Sequence, residues 1–469
     1  MKIVIFGTGK IYARYKENIK NLQIVSITDN DNKKHGMKIG GIEIVSPYEV
    51  KYDECHYVVI MTEYYREIKR QLLDMDVPES KIIAYTQIGE LLNLRMLVDT
   101  DKGPIELRNW MEYSDNVRSQ KRIMLISHNF SYSGVPVVMM NMAKVLKKMG
   151  YKVVVAGVTG GCFIRELKKE KIDCIFGIDI FYGGKQFLEV ISRFYMVIVS
   201  TITLTGVIAE ISKIKVPVLW WIHESEESFY KACRFMIIND RIHLFACANR
   251  VESMLRKYVE RGKEIEKLYY CIPDNKKDIQ FDDMSEKVTF AIIGSICHRK
   301  AQDILAQAIS LLPAKYRDQF ELLVIGNTIA VDEDYWKPVE KKFLQMKEVT
   351  ITGELSQDEI RKQYEILDVL ICPSRDDPMP VVVTEAMMYN KACIVSENVG
   401  QAEFIREQEN GFVFPNENAD ELSERIIWVM ENREKLPEIG QAARQIYEHN
   451  FTEEALQKRM AEIIGDLCS

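Results

Sequence analysis

The segment DVLICPSRDDPMPVVVTEAMMYNKACIVSEN, residues 368–398, decides how the chain folds. Asp368 to Ser374 is a continuous apolar run that ends in a turn. Ala392 to Asn398 is another. Runs apolar on every residue are expected of strands in a parallel sheet covered on both faces. Between them, Pro378 to Pro380 form a constrained loop, and Val381 onward reads as a buried helix despite its β-branched residues. Asp376 and Asp377 therefore sit at a strand's carboxyl end, where open parallel sheets take ligands. Glu385 lies on the helix that follows.

The same strand grammar extends in both directions. KVTFAIIGSI (from Lys287), FELLVIG (Phe320 to Gly326) and VTITGEL (Val349 to Leu355) complete a doubly wound block at residues 276–445. A second α/β block, 121–275, carries RIMLISHNF, KVVVAGV, MVIVS, VPVLWWIH and HLFACA. A third, smaller one occupies 1–92. It opens MKIVIFGTGK, with Gly7 and Gly9 in a tight turn and Asp29 about 20 residues on, as in a Rossmann dinucleotide fingerprint. Tyr12 or Ala13 stands where its third glycine belongs. Residues 93–120 read as a linker or bridging helix with Trp110, and 446–469 as an amphipathic C-terminal helix.

The chain has 469 residues, 47% hydrophobic and 28% charged, with a formal net charge of -7. That balance argues against a general nucleic-acid binder. The ten cysteines make no C-x-x-C pair or zinc pattern, which suits a reducing cytosol. No apolar run is long enough to span a membrane. Lys144, Lys147 and Lys148 read as a solvated face, with peripheral contact to anionic lipid as the alternative. The triplets DND (29–31), DTD (99–101) and DED (332–334) fit a metal-binding D-x-D but arise readily by chance in so acidic a chain. GIDIFYGGKQF fails as a P-loop on spacing and on Gln186.

Arg299 and Lys300, in the turn of IIGSICHRKAQDI, read either as a solvated basic turn or as two cations at a helix start that make a site for a diphosphate. With PSRDDPMPVVVTEAM, GQAEFI and NGFVF following in order, residues 121–450 resemble glycosyltransferase family 4, the retaining enzymes of GT-B fold. The resemblance implies two doubly wound Rossmann-like domains, here preceded by a third, smaller one, and a tail that crosses back to the first GT-B domain. It implies that Asp377 contacts hydroxyls of the donor sugar, Glu385 holds the ribose, and Met379, Val381 and Val382 offer backbone donors. Gly353 to Leu355 would carry the base, and Ser133, Gly134 and Val135 would approach the diphosphate. His223, at the end of WWIH, would lie near the reacting carbon, with His128 and Glu224 as weaker candidates. Three departures stand out. Asp377 replaces a Glu, Pro380 replaces a Gly and has no N–H, and Ser295 stands where many members have Arg.

The implied donor is a nucleotide-sugar, UDP-linked first and GDP- or dTDP-linked as alternatives, with no metal or other cofactor required. The implied acceptor is a saccharide or lipid-linked saccharide, in bacterial surface polysaccharide synthesis, with the chain cytoplasmic and the inner face of the cell membrane as an alternative place. Two rivals are an NAD(P)-linked or sugar-nucleotide-modifying enzyme using Gly7, Gly9 and Asp29, and a non-catalytic GT-B binding subunit. The small first domain is expected to serve docking, ligand sensing or assembly with another protein.

Overall fold

The computed structural model describes residues 2–19, 22–62, 64–85, 97–100, 103–107, 110, 121–130, 134–159, 163–177, 180, 184–231, 233, 238–259, 262–276, 287–327 and 332–468. Residues 1–97 with 177–184 make one compact unit, and the remainder makes a second.

The first unit holds a six-stranded sheet in the order Lys38–Ile39, Ile42–Val45, Gln23–Thr28, Lys2–Phe6, Tyr57–Ile60, Ile82–Ala84. Its pairings are parallel except the short hairpin at Lys38–Ile39 and Ile42–Val45. The strand order reverses beside Lys2–Phe6, which makes its end a topological switch point. Val4, Phe6, Val58 and Ile60 pack against Ile68 and Leu72 of helix Tyr65–Asp74.

The second unit contains two sheets. One has nine strands: Ile265–Lys267, Ile242–Ala246, Val218–Ile222, Met196–Ser200, Arg122–Asn129, Lys152–Thr159, Asp173–Phe176, Leu97–Thr100, Gly103–Glu106. The other has six, Val349–Gly353, Phe320–Ile325, Val288–Ile293, Val369–Cys372, Ala392–Ser396, Phe412–Phe414, all paired in parallel. In chain order this six-stranded sheet reads 3-2-1-4-5-6, with its switch point between Val288–Ile293 and Val369–Cys372. Phe290 and Ile292 join a core with Leu305, Ile309, Leu422 and Ile426, and their neighbours Ala291 and Ile293 are equally buried. Cover on both faces explains why these strands read as unbroken apolar runs.

Two sequence expectations are refined. Residues 93–120 read as a linker or bridging helix; their first described part forms the edge strands Leu97–Thr100 and Gly103–Glu106, while Leu107 and Trp110 are helical. Val98 and Thr100 are buried there, Asp99 pairs with Lys168 at 2.7 Å, and the Trp110 indole donates to Asp173 at 2.9 Å. Residues 86–96, 101–102, 108–109 and 111–120 lie outside the described residues. The tail is also not one helix from 446. Helix Leu436–Asn450 ends at Phe451, whose buried ring sits among Tyr269, Tyr270 and Phe404. The Thr452 hydroxyl then accepts from the Ala455 amide at 3.2 Å and caps a new helix, Glu453–Leu467. That helix packs on Gly134–Lys148, with ion pairs Lys148–Glu453 and Arg459–Glu266. No helix of the described residues is long and apolar enough to cross a membrane.

Candidate active site

Strand Val288–Ile293 runs into Gly294, whose φ of 148° is one that L side chains rarely adopt. A Cβ there would lie 3.5 Å from Lys300 Cε, so the lysine stem lies over the strand end. Lys300 precedes Ala301, a left-handed residue (φ 56°) that redirects the chain into helix Gln302–Leu311. The Lys300 ammonium meets Asp377 Oδ2 at 2.5 Å, and Arg299 Nη1 meets Asp377 Oδ1 at 3.1 Å. The Ser374 hydroxyl donates to the same carboxylate at 3.4 Å. Burial would push the Asp377 carboxyl up, but Lys300 and Arg299 outweigh it and hold it below the usual range. Three of the residues singled out from sequence thus meet at the switch point of the six-stranded sheet.

The loop that carries Asp377 is held by its neighbours. The Asp377 amide donates to the Asn398 carbonyl at 3.2 Å, and the Gly400 amide to the Asp377 carbonyl at 2.9 Å. A Cβ on Gly400 would lie 1.5 Å from the Pro378 carbonyl oxygen, so only glycine lets the two loops touch. Pro380 has no N–H, yet its carbonyl accepts from Gln401 Nε2 at 2.8 Å and it starts helix Val381–Met388. The first-turn amides of Val381 and Val382 lie outside that helix's own hydrogen-bond ladder. Met379 is buried beside them. Arg375 anchors the loop from behind, bidentate to Asp303 at 2.9 and 2.6 Å and paired with Glu417 at 2.6 Å.

Glu385 lies one turn into the helix and does not join the Asp377 cluster. Tyr364 donates to its Oε2 at 2.9 Å and stacks on Tyr389, with centroids 5.4 Å apart. Burial pushes the Glu385 carboxyl up to about 7, with Tyr364 and Arg361 pulling the other way. Gly353 has φ 74° and its carbonyl accepts from the Gly326 amide at 3.0 Å. A Cβ on Gly326 would in turn sit 2.1 Å from the Gly294 carbonyl oxygen. The strand ends at 294, 326 and 353 are therefore in backbone contact. Leu355 follows, half-buried, just before the capping box of Ser356 and Glu359. Ser295 is exposed, and its carbonyl accepts from Gln302 at 3.0 Å.

The nine-stranded sheet supplies the facing wall. His223 follows strand Val218–Ile222 and packs against Trp221 at 4.4 Å. Its Nε2 is buried with no hydrogen-bond partner among the described residues. Burial, with His128 adding to it, pulls the His223 pKa down to about 3, so the ring is neutral near pH 7. Glu224 turns back into its own wall: it accepts from the Thr201 hydroxyl and from the Ile202 (2.9 Å) and His223 (3.3 Å) amides. Thr201 holds φ 105°, a strained value for a β-branched residue. Gly134 opens helix Gly134–Lys148, and a Cβ there would meet nothing within 4 Å; Ser133 lies outside the described residues.

Sequence reasoning missed what joins the two walls. The Ser225 hydroxyl donates to Asp376 Oδ1 at 2.5 Å, and Arg250 pairs with the same oxygen at 3.0 Å. Arg250 also reaches Asn398 at 3.0 Å, and the Tyr270 and Thr384 hydroxyls meet at 2.8 Å. The signal was the doubled aspartate: one carboxylate faces the cations, the other the opposite wall. Asp332, from the DED triplet, caps a helix by accepting from the Asp334 amide at 3.1 Å.

In the first unit, Gly7 has φ 100°, and its amide donates to the Thr28 carbonyl at 2.8 Å. Gly9 has open space around it. Asp29 is not a free acceptor. Its Oδ2 takes the Thr8 amide (2.8 Å), the Thr8 hydroxyl (2.5 Å) and the Lys34 ammonium (2.9 Å), and its Oδ1 takes the Asp31 amide at 3.0 Å. These bonds outweigh burial and bring its pKa down to about 2.

Comparison with known proteins gives three family matches. Residues 119–270 match "Glycosyl-transferase family 4", 274–446 match "Glycosyl transferases group 1", and 1–83 match "C2185-like, N-terminal". A sulfoquinovosyl transferase of Arabidopsis thaliana is 28% identical over 163 residues, 34% of this chain and 30% of that protein. Spore coat protein SA of Bacillus subtilis is 27% identical over 164 residues, 34% of this chain and 44% of that one. The matches thus span less than half the length of these two relatives. Among solved structures, Anabaena HepE in complex with UDP and glucose superposes with a TM-score of 0.62 at 16% identity, over 74% of this chain and 100% of that one. That likeness shows the GT-B fold.

Proposed function

This chain belongs to glycosyltransferase family 4 and has the GT-B fold, and we propose that it moves a sugar from a nucleotide-sugar to a saccharide or lipid-linked saccharide with retention of anomeric configuration. The observation that carries the proposal is the Asp377 carboxylate held by Lys300 at 2.5 Å and Arg299 at 3.1 Å, at a switch point and next to unladdered helix amides.

The chemistry follows from what those groups can exchange. Lys300 and Arg299 turn from Asp377 to the donor's diphosphate, and Asp377 is then free to accept from sugar hydroxyls. The Met379, Val381 and Val382 amides and the Gly134 turn add neutral donors, with Ser295 at the rim. Glu385 takes the ribose hydroxyls, and Gly353 to Leu355 the base. As the bond from the anomeric carbon to the diphosphate breaks, the electron pair goes to the phosphate oxygen, where the fixed cations and amides stabilise it. The acceptor oxygen bonds the same face, and its proton passes to the departing phosphate oxygen. His223 contributes a neutral imidazole that brings no positive charge near the oxocarbenium-like centre.

A UDP-sugar is the first donor to try, by analogy with the UDP bound in HepE. We place the reaction at the cytoplasmic face of a bacterial membrane, in surface polysaccharide assembly. The test is a panel of UDP-, GDP- and dTDP-sugars with a saccharide acceptor, read by nucleotide release and by NMR of the new anomeric centre. Retained configuration is expected. An inverted linkage sinks the mechanism, and tight donor binding without turnover on any acceptor would favour a binding subunit.

A further inference from the structure

The first unit has a cavity of its own, of about 740 Å³, beyond the carboxyl ends of Lys2–Phe6 and Tyr57–Ile60. That volume suits a small molecule, and the place is the switch point of the sheet, where open α/β sheets take ligands. One side is fastened by a reciprocal amide pair: Asn30 donates to Gln71 at 2.8 Å and Gln71 to Asn30 at 3.0 Å. Three lining groups are unspent. The Lys10 and Glu67 side chains have no hydrogen bond or ion pair among the described residues, and Tyr64 is 66% exposed at the mouth.

Three observations count against a dinucleotide. Asp29 Oδ2 is filled by Thr8 and Lys34, so it is not available to clamp a ribose diol. Tyr12 stands buried where a third glycine would let helix and sheet approach. Beyond the reversal, the sheet continues for only two strands, Tyr57–Ile60 and Ile82–Ala84, so the second nucleotide-binding half is incomplete. We propose that residues 1–85 bind a single nucleotide, its phosphate toward Lys10 and its base against Tyr64, at a site separate from the sugar-donor site. Asp29 braces the glycine turn from beneath instead of touching the ribose.

The test is hydrogen exchange of the full chain, read by mass spectrometry, with AMP, GMP, CMP, UMP or NAD added separately. Glu385→Ala serves as background to weaken the donor site. At least one mononucleotide is expected to protect peptides spanning residues 6–11 and 61–68, in both the parent and the Glu385→Ala chain. Lys10→Glu and Tyr64→Ala, both at exposed positions, are each expected to weaken that protection about tenfold, leaving exchange without nucleotide unchanged. Three results overturn the inference: no mononucleotide protects these peptides, protection survives both substitutions, or NAD protects at lower concentration than every mononucleotide.

Discussion

The small N-terminal sheet and the C-terminal six-stranded sheet are two answers to one topology. Both reverse strand order beside a buried first strand, and both end that strand in a positive-φ glycine, Gly7 or Gly294. Both place a carboxylate at the switch point. Asp29 is held by Thr8 through amide and hydroxyl, with Lys34 on the rim. Asp377 is held by two side-chain cations, Lys300 and Arg299. A carboxylate tied to backbone stiffens a turn. One tied to cations keeps those cations in reserve for a more highly charged partner. The fold supplies the address, and the partner's chemistry decides whether the address is structural or reactive.

That contrast is open to attack by substitution. The largest effect is expected at Lys300: Lys300→Ala should lower sugar transfer about 10²–10³-fold with circular dichroism unchanged, and Lys34→Ala should leave transfer unaltered. Equal losses from the two would erase the distinction. Next come the glycines. Gly400→Ala must displace the Pro378 carbonyl and should destabilise by about 1–3 kcal/mol, measured as a shift in the thermal transition. Gly9→Ala, with nothing within 4 Å, should not. Asp29→Asn should speed hydrogen exchange in residues 2–62, at a cost of about 1–2 kcal/mol. Because folding lowers this carboxyl from 3.8 to about 2, its contribution is present above pH 3.8 and lost as pH falls through about 2. The smallest effect is on pH dependence. Glu385 is raised from 4.5 to about 7, so its contribution to stability is full below pH 4.5 and lost as pH rises through about 7. Nucleotide binding should move the other way, strengthening from pH 6 to 8 as the carboxylate forms, and Glu385→Gln should flatten both profiles in calorimetric titrations.

Much of this was legible because the strands of parallel sheets are apolar on every residue and the loops after them are not. DVLICPS and ACIVSEN read directly as the strands Val369–Cys372 and Ala392–Ser396. The meeting of Arg299, Lys300 and Asp377 was legible only through motif order, since Lys300 and Asp377 lie 77 residues apart. What escaped depended on partners distant in the chain. LVDT and GPIE are too short and too polar to announce edge strands, and Trp110 is explained only by Asp173. Asp376 carries no sequence signal for its partners Ser225 and Arg250, which lie more than a hundred residues away. Asp29 has the spacing of a ribose clamp, and no spacing rule shows that Thr8 already occupies it. The break at Phe451 hides inside an amphipathic pattern because the ring's pocket comes from Tyr269, Tyr270 and Phe404.

The helix Glu453–Leu467, seated on Gly134–Lys148, also sets a schedule for synthesis. Lys148 and Glu453 are 305 residues apart in the chain. At 5–20 residues per second the ribosome needs about 15–60 s to supply the second after the first. For that interval helix Gly134–Lys148 has no cover from its final partner, so the nascent chain is a natural client for a chaperone. A chain stopped just before residue 453 should therefore be far more prone to aggregate than its nearly complete length suggests.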